Sequence, residues 1–266
     1  MHEPDDQALL CEYLDRGSED AFATLVSRHV NKVYSVALRH TGNPHHAEEI
    51  TQAVFVIFAR KADRLRPPVV LSGWLYHAAR LTSVTFVRGE IRRTRREQEA
   101  HMQMLSNDDG AQAWKQIGPL VDTALAGLNE ADRHAIVLRF FDGKSLREVA
   151  DALGASEDAA KKRVHRALER MQRFLSRRGV DVTAAAIGGA ISLHAVQAAP
   201  ALLAKTSTAV ALAKGATVSA STTTLITGAL KLMAWTKAKS TVVAGIIVLL
   251  AAGTTTLTVH EFQKHR

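Results

Sequence analysis

Eight lysines and arginines fall between residues 161 and 178, against one acid, Glu169. Lys162, Arg166, Arg170, Arg173 and Arg177 follow a 4-4-3-4 spacing that gathers them on one side of a helix, and Lys161, Arg163 and Arg178 add to it. Groups of this kind do no bond chemistry by themselves. Ammonium and guanidinium groups neutralise phosphates, and arginine can also hold a guanine edge with two parallel hydrogen bonds. The commonplace alternative is a solvated charged face. Such faces interleave Glu and Lys at i,i+4, whereas here the charge is almost all of one sign. On the other side Val164, Leu168, Met171 and Leu175, spaced 4-3-4, form an apolar stripe.

A basic helix reads nucleic acid only if it is presented rigidly, and the residues before it supply a mount. Ser145 precedes the apolar pattern Leu146, Val149, Ala150, Leu153, and Glu148 lies three residues on, which is the spacing of a capping box. Gly154 follows Leu153, where a helix end favours a left-handed residue. Ser156 then caps the basic helix, and Glu157 and Asp158 suit the positive end of its dipole. Two helices joined so tightly must cross steeply. This is a helix-turn-helix, whose second helix can enter the major groove of DNA.

Charge is unevenly spread. Residues 1–58 carry four Lys/Arg against nine Asp/Glu, and residues 60–96 carry ten against two, within a net charge of +8. There are thus two basic patches behind an acidic beginning. Cys11 is the one cysteine, which rules out an internal disulfide or an all-cysteine zinc cage and fits a reducing compartment. The start, "MHEPDDQALL", has no apolar leader core. His45 and Glu49 share i,i+4 spacing beside His46, but two ligands do not complete a metal site. No nucleophile–base pairing or glycine-rich phosphate loop appears, so neither an enzyme nor a cofactor is expected.

The periodicity is helical throughout, so the fold expected is all-α. Ser18 caps a helix that buries Phe22, Leu25, Val26, Val33, Tyr34, Ala37 and Leu38; Asn43 and Pro44 open a second with Ile50, Val54 and Ile57 inward. Pro67 and Pro68 break the chain into a loop, after which Ser72 opens a long helix. In that helix Trp74, Leu75 and Ala78 read as packing residues, although Trp74 and Tyr76 could also stack on bases. The expected layout is a helical domain over 1–97, a polar linker over 98–113, a helix-turn-helix domain over 114–180, an Ala/Thr-rich extension over 181–239 and a hydrophobic segment over 240–260.

Taken together, "HHAEEITQAVFVIFARKADRL", "LSGWLYHAARLTSVTFVRGEIRRTRRE" and "ALAGLNEADRHAIVLRFFDGKSLREVADALGASEDAAKKRVHRALERM" resemble the bacterial sigma factors of the compact extracytoplasmic-function type. The resemblance covers roughly residues 5–178. It implies a protein that binds core RNA polymerase, places it on promoter DNA and helps open the duplex. It implies polymerase contacts at Glu48, Glu49, Gln52 and Phe55. It implies reading of the −35 element by Lys161, Lys162, Arg163, His165, Arg166 and Arg170. The −10 element and the opening strand would be held by Arg60, Lys61, Arg64, Arg80, Arg88, Arg92, Arg93, Arg95 and Arg96, with the loop 63–71 as a pocket for an unstacked base. An anti-sigma factor is a further partner that the resemblance admits. Leu81 follows Ala79 and Arg80 where many members carry Asn.

The tail changes composition. Residues 181–266 hold only two acids, Asp181 and Glu261, and 240–260 hold no Lys, Arg, Asp or Glu. About twenty helical residues span roughly 30 Å, the thickness of a bilayer core. With Lys231, Lys237 and Lys239 before it and Trp235 at the interface, the expectation is one membrane span over 240–260 with the head in the cytoplasm. Gly188, Gly189, His194 and Pro200 argue against a second span over 183–204. Two other classes stay open. One is a regulator that binds operator DNA without being a polymerase subunit. The other is a membrane protein whose basic helices bind anionic lipid, although lipid binding has no use for a capped corner.

Overall fold

The computed structural model describes residues 4–65, 69–97, 109–213, 222–231 and 233; side chains at 91–97, 109–113, 115 and 116 are outside the description. Among the described residues there are helices and no strands. In order they are α1 (Asp6–Arg16), α2 (Glu19–Thr41), α3 (Pro44–Lys61), a 3-10 turn (Ala62–Arg64), α4 (Leu71–Glu97), α5 (Asp109–Ala126), α6 (Glu130–Ile136), a π-turn (Val137–Phe141), α7 (Leu146–Ala152), α8 (Glu157–Ser176), α9 (Ala184–His194) and α10 (Leu203–Leu212). Residues 222–231 are also helical.

The caps form where the sequence places them. Ser18 Oγ accepts from Ala21 N, and Asn43 Oδ1 accepts from His45 N and His46 N with Pro44 beside it. Ser72 differs. α4 begins at Leu71, its first turn closing from Trp74 N to Val70 O, so Ser72 lies inside the helix. Its hydroxyl accepts from Lys32 Nζ and donates to Asp142, tying α4 to α2 and to the residue after the π-turn. α5 also starts earlier than expected, at Asp109, inside the stretch read as linker.

α1–α4 form one layer group and α5–α8 the other, yet a single hydrophobic core runs through both. The seam between them is polar as well as apolar. Arg39 holds Asp122 through two hydrogen bonds, Nε to Oδ2 at 2.9 Å and Nη2 to Oδ1 at 3.1 Å, while Tyr76 OH donates to Oδ1 at 2.7 Å. Asp122 has no exposed surface. Burial alone would raise its carboxyl, but the Arg39 charge and hydrogen bonds prevail and hold it below the usual carboxylate range. Tyr76 packs edge-on against Phe141 with centroids 5.2 Å apart. At Gly73 the approach is close enough that a Cβ would lie 2.2 Å from the His134 ring, so only glycine fits between α4 and α6 here. Tyr76 is thus a core residue of the seam. Trp74 packs against Phe58 at 5.9 Å, as its spacing predicts.

The extension folds back. α9 packs against α8 and the π-turn, and α10 lies across α2 and α3. Among the described residues no helix is long and apolar enough to cross a membrane; α9 has eleven residues. The segment 240–260 lies outside the described residues.

Candidate nucleic-acid interface

The corner is built as its residues dictate. Ser145 Oγ accepts from Glu148 N at 3.2 Å and Ser145 N donates to Glu148 Oε2 at 2.8 Å, closing both halves of the capping box. That backbone hydrogen bond, with Lys144 beside it, lowers the Glu148 carboxyl to about 2. Gly154 turns the chain at φ 58, and Ser156 Oγ accepts from Ala159 N at 3.3 Å to start α8. α8 buries Ala160, Val164, Ala167, Leu168, Met171 and Leu175 and leaves its other side outward.

On that outward side two kinds of basic residue can be told apart. Lys161 and Lys162 are exposed in the second turn, and no ion pair to either occurs among the described residues. His165 lies 3.3 Å from Glu169. The arginines converge instead on one carboxylate far upstream in the chain, Asp132. Arg166 Nη2 donates to Asp132 Oδ1 at 2.9 Å, Arg170 Nη1 donates to Oδ2 at 3.1 Å, and Arg163 Nε lies 4.0 Å from Oδ1. The Asp132 side chain is 1% exposed, while those of Arg166 and Arg170 are 53% and 45% exposed. Three positive charges against one negative leave the face cationic, and the exposed guanidinium edges keep donors to spare. Asp132 fixes where the arginines point. Sequence reading did not find it: the visible signal was a helix start, since Asn129 Oδ1 caps α6 through Asp132 N at 2.8 Å.

The earlier basic patch is only partly brought together. Arg60 and Arg64 are exposed and Lys61 is half-buried at the end of α3 and the following turn. Arg88 is exposed on α4. Arg80 is not on that surface. It faces the seam, with its Nε buried and unpartnered among the described residues, near His40, His77 and Arg133. Burial first, then Arg133, Arg80 and His134, lowers His77 to about 4. α4 carries Arg92, Arg93, Arg95 and Arg96 along its helical end, but their side chains lie outside the described residues, as does loop 66–68.

Glu48, Glu49 and Gln52 are half-buried on α3, and Phe55 is wholly enclosed. As folded here, Phe55 is a core residue rather than an outward contact. No group of three His, Cys, Asp or Glu that could hold a metal ion occurs among the described residues; His46 packs on Phe86 at 4.7 Å.

Comparison with known proteins finds matches to two segments of the chain. The family model for sigma-70 region 2 matches residues 25–96, and that for sigma-70 region 4 matches residues 120–171. Among curated relatives, the RNA polymerase sigma factor CarQ of Myxococcus xanthus is 30% identical over 173 residues, covering 62% of this chain and 95% of its own. The ECF RNA polymerase sigma factor SigW of Bacillus subtilis is 28% identical over 176 residues, 60% of this chain and 91% of its own. The ECF RNA polymerase sigma factor SigE of Mycolicibacterium smegmatis is 26% identical over 191 residues, 69% of this chain and 73% of its own.

Proposed function

The chain belongs to the extracytoplasmic-function sigma factors of the sigma-70 family, which serve RNA polymerase in transcription initiation, and from that premise we propose which of its surfaces does what. The operator-binding regulator drops out, because both sigma regions are matched in order. The chain acts as a polymerase subunit and not as an enzyme, in the compartment that holds DNA.

Residues 114–180 read the −35 element through α8. Arg163, Arg166 and Arg170, aimed by Asp132, supply base-edge donors, while Lys161, Lys162 and His165 hold phosphates. Residues 1–97 take the −10 element. Arg60, Lys61, Arg64 and Arg88 lead the strand toward Arg92, Arg93, Arg95 and Arg96, and Arg80 joins them once the seam has parted. The face of α3 bearing Glu48, Glu49 and Gln52 meets core polymerase. The observation that carries this reading is the doubly capped corner holding a helix whose outward side is cationic and whose arginines share one buried carboxylate.

Replacing Arg92, Arg93, Arg95 and Arg96 together is expected to impair duplex opening, read as permanganate reactivity around −10, with polymerase binding kept. Opening that is unchanged in this variant would move the function to another surface. We also propose, on sequence alone, that 240–260 contacts the inner membrane with the head inside. Carbonate extraction decides that point: a native chain washed off as readily as one carrying Ile247→Arg and Leu250→Arg has no span there.

A further inference from the structure

The middle of α3 has no free face. The six consecutive residues Ala53, Val54, Phe55, Val56, Ile57 and Phe58 are all buried, which takes in every direction around the helix axis. A helix at the edge of a small bundle buries one stripe and shows the rest to solvent or to a partner. α2 and α4 account for part of the burial. The remainder comes from the C-terminal extension, since α10 packs against α3 as extensively as α2 does.

The extension reaches this place along a prepared track. Asn31, Ser35 and Arg39 are spaced by four on α2 and present one rail of polar side chains. Ala199 N donates to Asn31 Oδ1 at 2.9 Å, Gln197 N donates to Ser35 Oγ at 2.6 Å, and Ala195 O accepts from Arg39 Nη1. These bonds satisfy the backbone of a non-helical strap between α9 and α10, which would otherwise compete poorly with water. Beyond the strap, Leu203 and Ser207 are buried in α10. In the helical residues 222–231, Ile226 and Ala229 are fully buried and Thr222 Oγ1 donates to Glu49 Oε1 at 3.3 Å. Glu49 belongs to the face assigned to polymerase, so the same carboxylate meets the extension. The side chains of α10 are mostly small, with Lys205 its one charge, and they add no acid that would bind it permanently to the basic patches.

We propose that residues 195–213 and 222–231 are an intramolecular cover over the polymerase-binding face of α3, so that the extension and core RNA polymerase compete for one surface. This rests on the reading of α3 as the polymerase-contacting helix. A chain whose competent form is a minor population binds its partner more weakly in proportion to that fraction. Loosening the cover therefore tightens binding, without any new contact to polymerase.

The test uses the full chain and core RNA polymerase. Ser207→Lys and Ile226→Lys each place a charge in the buried contact of the cover, and neither residue is itself assigned to DNA or polymerase. Each is expected to bind core at least tenfold more tightly than the native chain. Hydrogen exchange on the native chain supplies a reading free of variant misfolding. Adding core should strip protection from 203–212 while α3 stays protected. Equal affinities for native and variant chains, or 203–212 staying protected in the complex, overturns the cover. Gln52→Arg placed in the Ile226→Lys chain separates the two claims. If binding is lost, α3 is the polymerase face and the cover stands or falls on the first results. If binding is untouched, the assignment of α3 falls, and the cover with it.

Discussion

Asp132 decides how the basic face of α8 behaves. A buried carboxylate that accepts from Arg166 and Arg170 and attracts Arg163 trades one unit of positive charge for fixed geometry. Asp132→Asn should therefore raise affinity for random duplex, since it adds net positive charge, and at the same time lower discrimination between matched and mismatched −35 duplexes by roughly 1 kcal/mol as the arginines lose their aim. Competition binding separates the two effects, and a variant that keeps full discrimination shows the arginines to be self-orienting. Lys161→Ala and Lys162→Ala should act differently, each reducing the salt slope by about one with little change in selectivity. At the seam, Asp122→Ala leaves the buried Arg39 guanidinium without its counter-charge. A loss of about 3–5 kcal/mol in urea unfolding is expected.

At the scale of elements, the corner can be tested without touching a contact. A Cβ at Gly154 would meet nothing within 4 Å, yet its φ is 58, so Gly154→Ala should cost about 1–2 kcal/mol from backbone conformation alone. The packing of α4 on α6 carries a pH dependence. Burial and nearby cations hold His77 at about 4, against about 6.5 when unfolded. The unfolded chain then binds the extra proton, so this stability is complete above about 6.5 and is lost as pH falls toward 4, on the order of 3 kcal/mol for His77. His40 and His134, lowered chiefly by burial, push the same way, whereas Asp122, held low, loses its contribution only in stronger acid. Melting temperatures at pH 7 and pH 5 should differ, and His77→Gln should narrow the gap. These elements also show what the sequence could disclose. Ser18, Asn43, Ser145, Gly154 and Ser156 work through neighbours three or four residues away, so their roles are readable in the chain. Ser72 looks like a cap in the chain, but its hydroxyl is taken by Lys32 and Asp142, 40 and 70 residues distant. Arg163, Arg166 and Arg170 have the right types and spacing, but Asp132 could not be linked to them by any local pattern.

For the whole molecule, the two DNA-reading blocks share one core, while the promoter elements they are assigned lie about 25 base pairs apart, or roughly 85 Å of B-form duplex. On the proposed assignment of surfaces, the Arg39–Asp122–Tyr76 cluster and the Lys32–Ser72–Asp142 cluster have to part before both elements are held at once. Neither the seam nor the folded-back extension is visible in composition or periodicity, which show only that 181–239 is rich in Ala and Thr and poor in acids. The most direct measurement is run-off transcription with core RNA polymerase on a promoter library, using the native chain and the Ile226→Lys form in parallel. Discrete transcripts whose templates share −35 and −10 elements, with the Ile226→Lys form giving more product at equal concentration, are the predicted result. A chain that retains duplex binding, yet neither associates with core polymerase nor yields any transcript in either form, would contradict the account.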